Sequence, residues 1–169
     1  MKKHIQYLLI LTISLSLFGC GIYSFTGASI PAGTETYQVN RFENTALLVE
    51  PGLERDFKLA LEDLIQNQTN LTLVTSNADL VYEGEITEYR ISPTTATAEN
   101  TAAQNRLTIS VNLRFFNTKK PEDDLEQRFT FFYDYDGTSQ LLGSEKTTAH
   151  ETIFERITQD IFNATLAKW

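Results

Sequence analysis

Alternation of apolar and polar residues predicts three long β-strands in the middle of the chain. In each segment the apolar side chains take every second position, which places them on one face of a strand. The first segment, 80–91, begins with this alternation and then shifts phase, which indicates a β-bulge. Each strand is expected to bury one face and expose the other. The apolar positions are Leu80, Tyr82, Ile86, Tyr89 and Ile91, then Leu107, Ile109, Val111, Leu113 and Phe115, then Phe129, Phe131, Tyr133 and Tyr135.

Two other segments have the three- and four-residue spacing of amphipathic α-helices. The first helix is predicted after Pro51 and Gly52, and the second is the last element of the chain. A capping box of Thr148 and Glu151 predicts where the second helix begins. The apolar stripes are Leu53, Phe57, Ala60, Leu61, Leu64 and Ile65 in the first helix, and Ile153, Phe154, Ile157, Ile161 and Ala164 in the second.

A shorter strand from Tyr37 to Phe42 completes the order β-α-β-β-β-α. This order predicts an α+β fold with two helices on one face of a mixed four-stranded sheet. The first helix is expected to connect parallel strands, and the later strands to form antiparallel hairpins. The polar segment from Ser92 to Asn105 is predicted to be a long loop, which is either functional or a solvated tip.

The first twenty residues have the order of a secretory signal peptide. Lys2 and Lys3 precede an apolar stretch that ends at Phe18, shorter than the ~20 residues of a spanning helix. Leu17-Phe18-Gly19-Cys20 resembles a bacterial lipobox, which implies a diacylglyceryl group and an N-acyl chain on Cys20. We therefore expect residues 1–19 to be a removed signal peptide, 20–35 a lipid-anchored tether and 36–169 a single domain. The apolar tether residues face either the membrane or the domain: Ile22, Tyr23 and Phe25.

The charge balance argues against binding to nucleic acid or to an anionic membrane surface. The formal net charge is −8, from 14 basic and 22 acidic residues, and two of the basic residues lie in the predicted signal peptide. No polybasic run offers such a surface, so membrane attachment is expected to come from the lipid. Cys20 is the only cysteine, so the fold is expected to have no internal disulfide.

The residues that could carry catalysis are few and scattered, which predicts a protein that is not an enzyme. His150 is the only histidine after the signal peptide, and we expect it to be solvated in the first turn of the last helix. Glu83 and Glu85 share one strand face and are interpreted as a solvated surface rather than an acid/base pair. The sequence has no His/Cys spacing typical of a metal site and no glycine-rich phosphate loop. We expect no metal and no cofactor beyond the acyl chains.

Short segments spread over nearly the whole mature chain are similar, in the same order, to one known family. They are Gly19–Gly27, Gln68–Val74, Glu83–Thr87, Asn105–Ile109, Phe116–Lys119 and Asp160–Asn163, followed by Trp169. On these residues the chain resembles the LptE family of lipopolysaccharide-assembly lipoproteins, in the form found in Bacteroidetes. The family fold, two helices on one face of a four-stranded sheet, agrees with the order of elements above.

The resemblance implies an outer-membrane lipoprotein that faces the periplasm. It would plug the β-barrel LptD and help it assemble and pass lipopolysaccharide to the cell surface, without catalysing a reaction. Gly21 fits this location, because aspartate there is an inner-membrane retention signal in enteric bacteria. The alternative is a lipid-anchored periplasmic interaction module of another envelope machine, such as an efflux or secretion subunit.

Two sets of residues are candidates for partner contacts. The long loop can order on binding the barrel, and its candidates are Thr94, Thr95, Thr97, Glu99, Asn100 and Gln104. Lipopolysaccharide phosphates need cationic groups, and the candidates are Arg106, Arg114, Lys119 and Lys120. The polar residues at 108, 110 and 112 suit a polar barrel wall.

Overall fold

The computed structural model describes residues 30–94, 104–137 and 140–167. Within these residues the chain forms a six-stranded sheet, two α-helices and a short 3₁₀ turn. In chain order the elements are β1 (Thr36–Val39), β2 (Glu43–Asn44), α1 (Leu53–Gln68), β3 (Thr72–Leu73), β4 (Leu80–Thr94), β5 (Gln104–Asn117), the 3₁₀ turn (Pro121–Asp123), β6 (Leu125–Asp136) and α2 (Gly143–Leu166).

The sheet is mixed, as the sequence predicts. β1 pairs in parallel with β3 and with β4, β2 pairs in parallel with β4, and β4, β5 and β6 form an antiparallel meander. The strand order is β3-β1-β4-β5-β6, with β2 also beside β4. The predicted bulge is confirmed between Ile86 and Glu88, where the register of β4 and β5 shifts.

The predicted number of four strands is wrong, because the sheet has two further short strands, β2 and β3, and the predicted strand from Tyr37 to Phe42 ends at Val39. β1 and β2 pair with successive parts of β4. Phe42, between them, is fully buried and packs edge-on against Phe57. The apolar run from Leu71 to Val74 contributes β3, which pairs with β1 at the edge of the sheet. Strands of two residues are too short to show alternation, so the pattern could not reveal them.

The connection between β4 and β5 is shorter than the predicted loop from Ser92 to Asn105. The paired residues there are Ser92 with Arg106, Pro93 with Asn105, and Thr94 with Gln104. Ile91 is 41% exposed although Leu107, opposite it on β5, is fully buried, so the end of β4 is left uncovered. Strand pairing at an uncovered end needs no apolar alternation, and a polar sequence can therefore continue the ladder.

Both helices pack on the same face of the sheet, and their apolar stripes meet in one core. Edge-to-face contacts link Phe42 to Phe57 and Phe57 to Phe154, with ring centroids 5.0 and 5.4 Å apart. The buried Tyr82 hydroxyl lies 3.3 Å from Oγ1 of Thr165, so this polar group is satisfied inside the core. The most buried helix residues are Leu53, Phe57, Leu61 and Ile65 in α1, and Ala149, Ile153, Ile157, Ile161 and Leu166 in α2.

The α2 helix begins at Gly143, five residues before the predicted start. The N-cap residue is Leu142, which makes no side-chain capping bond, so the predicted capping box of Thr148 and Glu151 is wrong. The extra turn is polar, and Lys146 Nζ lies 2.8 Å from a carboxylate oxygen of Glu50. A turn without buried residues leaves no apolar stripe for the sequence pattern to detect.

Gly84 lies in β4 at a point where a side chain would clash. A Cβ atom there would lie 2.0 Å from the carbonyl oxygen of Asn112 and 3.0 Å from the Phe42 ring. The first neighbour is backbone of the paired strand and cannot move without disturbing the ladder. A glycine within a strand often marks such a close approach, and here it lets Phe42 cover the centre of β4.

Candidate functional site

The helices leave one face of the sheet uncovered by any element that the structure describes. We call this surface the open face and define it by the outward residues of β4, β5 and β6. Because side chains alternate along each strand, the register between strands assigns them to rows. The open face contains Glu83, Glu85, Glu88, Arg90, Arg106, Thr108, Ser110, Asn112, Arg114, Phe116, Arg128, Thr130, Phe132 and Asp134.

The centre of the open face is a hydrogen-bonded row across three strands. Ser110 Oγ donates to Glu88 Oε2 at 2.8 Å and lies 2.9 Å from Thr130 Oγ1. Arg90 and Arg128 each approach the same Glu88 carboxylate at 2.7 Å. These bonds lower the pKa of Glu88 below its ordinary value, and the bond from Arg90 contributes most. Glu88 is therefore ionised at neutral pH, and the positive charges of Arg90 and Arg128 balance its negative charge.

Arg106 and Arg114 lie towards opposite ends of the open face. Arg106 donates twice to Asp134, at 2.7 and 2.8 Å, and its guanidinium lies 3.6 Å from the centroid of the Phe132 ring. The bond from Arg106 lowers the pKa of the Asp134 carboxyl. Arg114 lies 3.3 Å from carboxylates on the neighbouring strand, and these are Glu83 and Glu85. Each arginine of the face thus has a carboxylate partner on the face itself.

The candidate lipopolysaccharide contacts are not gathered into one cationic site. Arg106 and Arg114 are on the open face, whereas Lys119 and Lys120 follow β5 in the connection to β6. Lys119 Nζ lies 3.1 Å from Asp79, and Lys120 Nζ lies 3.1 Å from Asp123. A phosphate would have to compete with a carboxylate at each of the four positions.

Asp79 joins the first residues of the domain to the end of β5 through hydrogen bonds. Its carboxylate accepts the backbone N–H groups of Glu35 and Thr36 at 2.9 and 3.1 Å, and the Thr36 hydroxyl at 3.0 Å. Its carbonyl oxygen accepts the backbone N–H of Thr118 at 2.9 Å. The Glu35 N–H, followed by Lys119, holds the pKa of Asp79 far below its usual range. Lys119 therefore has a structural partner where the predicted tether enters the domain.

Replacing Asp79 with asparagine should lower the melting temperature at neutral pH, because it removes the charge that these donors stabilise. The folded pKa is lower than the unfolded value of about 3.9, so the carboxylate contributes stability above that value. This contribution is lost as pH falls through the folded pKa. Thermal melts should therefore show a constant difference between wild type and Asp79→Asn above about pH 5 that shrinks below pH 4. Glu122→Gln, at an exposed position, is the control, and a difference independent of pH would refute this assignment.

The candidate loop residues fall partly on the ladder and partly outside the described residues. Thr94 and Gln104 are the last pair of the β4–β5 ladder, and Thr94 Oγ1 donates to the Gln104 carbonyl oxygen at 2.9 Å. The other loop candidates, Thr95, Thr97, Glu99 and Asn100, lie outside the described residues, and so do the signal peptide, Cys20 and most of the tether.

His150 is half-buried, so the expectation of a solvated histidine is wrong. Because α2 begins earlier than predicted, His150 lies in its second turn, with Nε2 3.1 Å from the Tyr89 hydroxyl and its ring stacked on Phe154. Burial lowers the pKa of the imidazole, which favours the neutral form at physiological pH. In residues 30–94, 104–137 and 140–167 there is no group of three or more His, Cys, Asp or Glu residues that could hold a metal ion. In the same ranges no helix is long and apolar enough to span a membrane.

Comparisons with known proteins place the whole domain in one family. The family model for LptE, described as lipopolysaccharide-assembly, matches residues 34–165. No curated protein matches the chain. A hypothetical protein, CT253 of Chlamydia trachomatis, has a similar solved structure, with a TM-score of 0.53 and 12% identity over 80% of this chain and 99% of that one. That similarity indicates a shared fold.

Two further solved structures have lower TM-scores. One is an uncharacterized lipoprotein B of Nitrosomonas europaea, with a TM-score of 0.47 and 16% identity over 85% of this chain and 87% of that one. The other is PelC of Paraburkholderia phytofirmans, solved as a dodecamer, with a TM-score of 0.47 and 10% identity over 83% of this chain and 95% of that one.

Proposed function

Because this chain belongs to the LptE family of lipopolysaccharide-assembly proteins, we propose that it plugs an LptD-type outer-membrane β-barrel and supports lipopolysaccharide transport through it. The family is one of non-catalytic assembly lipoproteins. A plug requires a surface that contacts the barrel and does not require catalytic groups. The protein would be anchored by the acyl chains on Cys20 to the outer membrane and would face the periplasm.

The open face is the observation that carries this proposal. The inner wall of a large membrane barrel is polar and water-filled when empty. An unpaired charge is costly to take out of water, whereas a charge with hydrogen-bonded partners costs less. The arginines of the open face already have carboxylate partners. Phe116 and Phe132, 40% and 41% exposed, add aromatic contact area of the kind enriched at interfaces.

The tether is long enough for the domain to enter a barrel while its lipid stays in the bilayer. Residues 20–35 span at most ~55 Å when extended, compared with a hydrocarbon core ~30 Å thick. The tether joins the domain beside Thr36, at the same end as the β5–β6 connection, because Asp79 bonds to Thr36 and to Thr118. The β4–β5 ladder ends at the pair Thr94 and Gln104, at the other end of the sheet.

Replacing Thr130 with arginine should reduce co-purification of the barrel with the lipidated protein. Thr130 is exposed on the open face, so a long cationic side chain there would keep the face from close contact. Asn163→Arg is the matched control, because Asn163 is an exposed polar residue of α2 with one side-chain hydrogen bond. Co-purified barrel and sensitivity to large antibiotics are the two readouts.

Equal losses from the two variants would show that the open face is not the contact surface. If a subunit of an efflux or secretion machine co-purifies in place of a barrel, the plug function itself is refuted. Thermal melts of both variants show whether a loss comes from unfolding.

The β4–β5 connection is the proposed part of the plug that reaches deepest. Replacing residues 95–103 with a short Gly-Ser turn should leave the domain folded. The last pair of the β4–β5 ladder, Thr94 with Gln104, does not include any of the replaced residues. Barrel co-purification should fall and cells should become sensitive to antibiotics that an intact lipopolysaccharide layer excludes. If the shortened protein matches the original in barrel co-purification and in antibiotic resistance, the connection does not contact the barrel. Its candidate contact residues would then be wrong.

Direct lipopolysaccharide contact is a separate and weaker part of the proposal. Arg106, Arg114, Lys119 and Lys120 each already bind a carboxylate, so a phosphate gains less there than at a free cation. We therefore attribute the role in transport to the barrel contact, with these four residues as secondary contacts.

A further inference from the structure

The two helices form a groove on the side of the molecule opposite the open face. Its volume is about 740 Å³, and α1 and α2 supply its walls. The lining positions of α1 run from Leu53 to Asn67, which is about 20 Å at 1.5 Å per residue. The groove is thus as long as three to four turns of a bound helix.

The floor of the groove is apolar, and an exposed leucine lies on one wall. Ala60, Leu64 and Phe154 line it, and Leu59 on the α1 wall is 49% exposed. The three residues that precede Glu50 in the chain also have exposed apolar side chains, and these are Leu47, Leu48 and Val49. Exposed apolar side chains that adjoin a groove mark a binding surface more often than scattered ones do.

The rim of the groove is acidic, and three of its carboxylates have no ion-pair partner among the described residues. Glu151 and Glu155 are four residues apart on α2, an arrangement in which like charges destabilise a helix. Neither they nor Asp63 forms an ion pair with another described residue, while Asp56 pairs with Arg55. Lys146 is the one Lys or Arg among the described residues that line the groove, and Glu50 already binds it at 2.8 Å. His150 faces Tyr89 through its Nε2 atom and adds no fixed positive charge.

We propose that this groove binds a cationic amphipathic helix of a partner protein. Apolar side chains of such a helix would cover Leu59 and Leu64, and its lysine or arginine residues would pair with Glu151 and Glu155 on the rim. This is the helix-in-groove mode of recognition, with charge complementarity selecting the partner. The groove lies on the opposite side of the domain from the open face, so its occupant is a different segment from the wall that the open face contacts.

The charge of the groove argues against other occupants. A second copy placed by two-fold symmetry would bring the same acidic rim against itself, and like charges juxtaposed at an interface are repulsive. An anionic membrane surface would be repelled in the same way. A cationic helix is the occupant that satisfies both the apolar floor and the unpaired carboxylates.

The test uses the full lipidated chain in cells, with a photoreactive amino acid at position 59. Light should produce a crosslink to a protein segment whose apolar residues have helical spacing and whose polar face carries Lys or Arg, as mass spectrometry of the linked peptides would show. In the Glu151→Lys/Glu155→Lys variant the crosslink should fall by roughly fivefold or more, as expected for reversal of a complementary rim. Glu35→Lys/Glu122→Lys, with the same charge change at two exposed positions outside the groove, should leave it unchanged.

The proposal is overturned by no crosslink at position 59, or by a crosslink to a second copy, to lipid, or to an acidic or extended segment. An equal fall in the two double variants, with unchanged melting temperatures, would overturn it as well. Barrel co-purification measured on the same cells distinguishes this failure from failure of the proposed function, since either result can occur without the other.

Discussion

Replacing Ile109 with aspartate should unfold the domain. Ile109 lies in the middle of β5, is fully buried and belongs to the core that both helices cover. A carboxylate without a partner in an apolar core costs several kcal/mol, through desolvation or through the protonation that avoids it. A domain of this size has a total stability of only about 5–15 kcal/mol. Val111→Asp, two residues further along the same face, should have the same effect.

Ile91→Asp is the matched control for this prediction. Ile91 is an isoleucine on the helix side of β4, but it is 41% exposed because the end of β4 is left uncovered. An exposed aspartate in a strand costs about 1 kcal/mol or less, so the protein should stay folded with a slightly lower melting temperature. Circular dichroism melts of the three variants give the comparison, and a similar loss in Ile91→Asp would contradict the assignment of the core.

Replacing Cys20 with alanine should release the protein from the membrane fraction. We expect the lipid on Cys20 to be the anchor, with each buried methylene worth ~0.8 kcal/mol, so that two or more chains hold the protein stably. The chain has 14 basic and 22 acidic residues, a charge balance that does not favour binding to anionic lipid headgroups as a substitute. The variant precursor should also keep its signal peptide, because a lipoprotein signal peptidase acts only on a cysteine that carries the lipid.

Membrane fractionation and intact-mass measurement test the anchor together. The wild-type protein should be found with the outer membrane at a mass that includes the acyl chains, and Ser24→Ala, in the same tether, should behave identically. If Cys20→Ala still matures normally and still fractionates with the outer membrane, the protein is not a lipoprotein of this kind.

Periodicity predicted most of the elements because most of them bury one side. The stripe from Leu53 to Ile65 and the alternation from Leu107 to Phe115 both depend on a covered face, and the structure has a helix and a strand there. The same dependence explains the errors. The first turn of α2 and the end of β4 at Thr94 have no buried side, so a polar sequence there appeared to be loop.

The open face was predictable only in part. Strand alternation places Thr108, Ser110 and Asn112 outward, but it does not indicate that Ser110 is fully covered by its neighbours. That burial comes from Glu88 and Thr130 on the two adjacent strands. Such pairs depend on the register between strands, including the bulge, which one sequence does not reveal.

The groove between the helices could not be predicted from the sequence, for a similar reason. The sequence pattern assigns Glu151 to a capping box and gives Glu155 no role. Glu151 and Glu155 line a groove with Leu59 and Leu64 only because α1 packs against α2. Residue spacing within one helix cannot report which side chains of another helix lie opposite.

A photoreactive amino acid at position 130 tests the central claim most directly. The lipidated protein carrying it would be expressed in place of the natural one, and the covalent product formed in intact cells would be identified by mass spectrometry. We predict a crosslink from the open face to inward-facing residues of an LptD-type outer-membrane barrel. A crosslink to a subunit of another envelope machine, or no crosslink while lipopolysaccharide still reaches the cell surface, would contradict it.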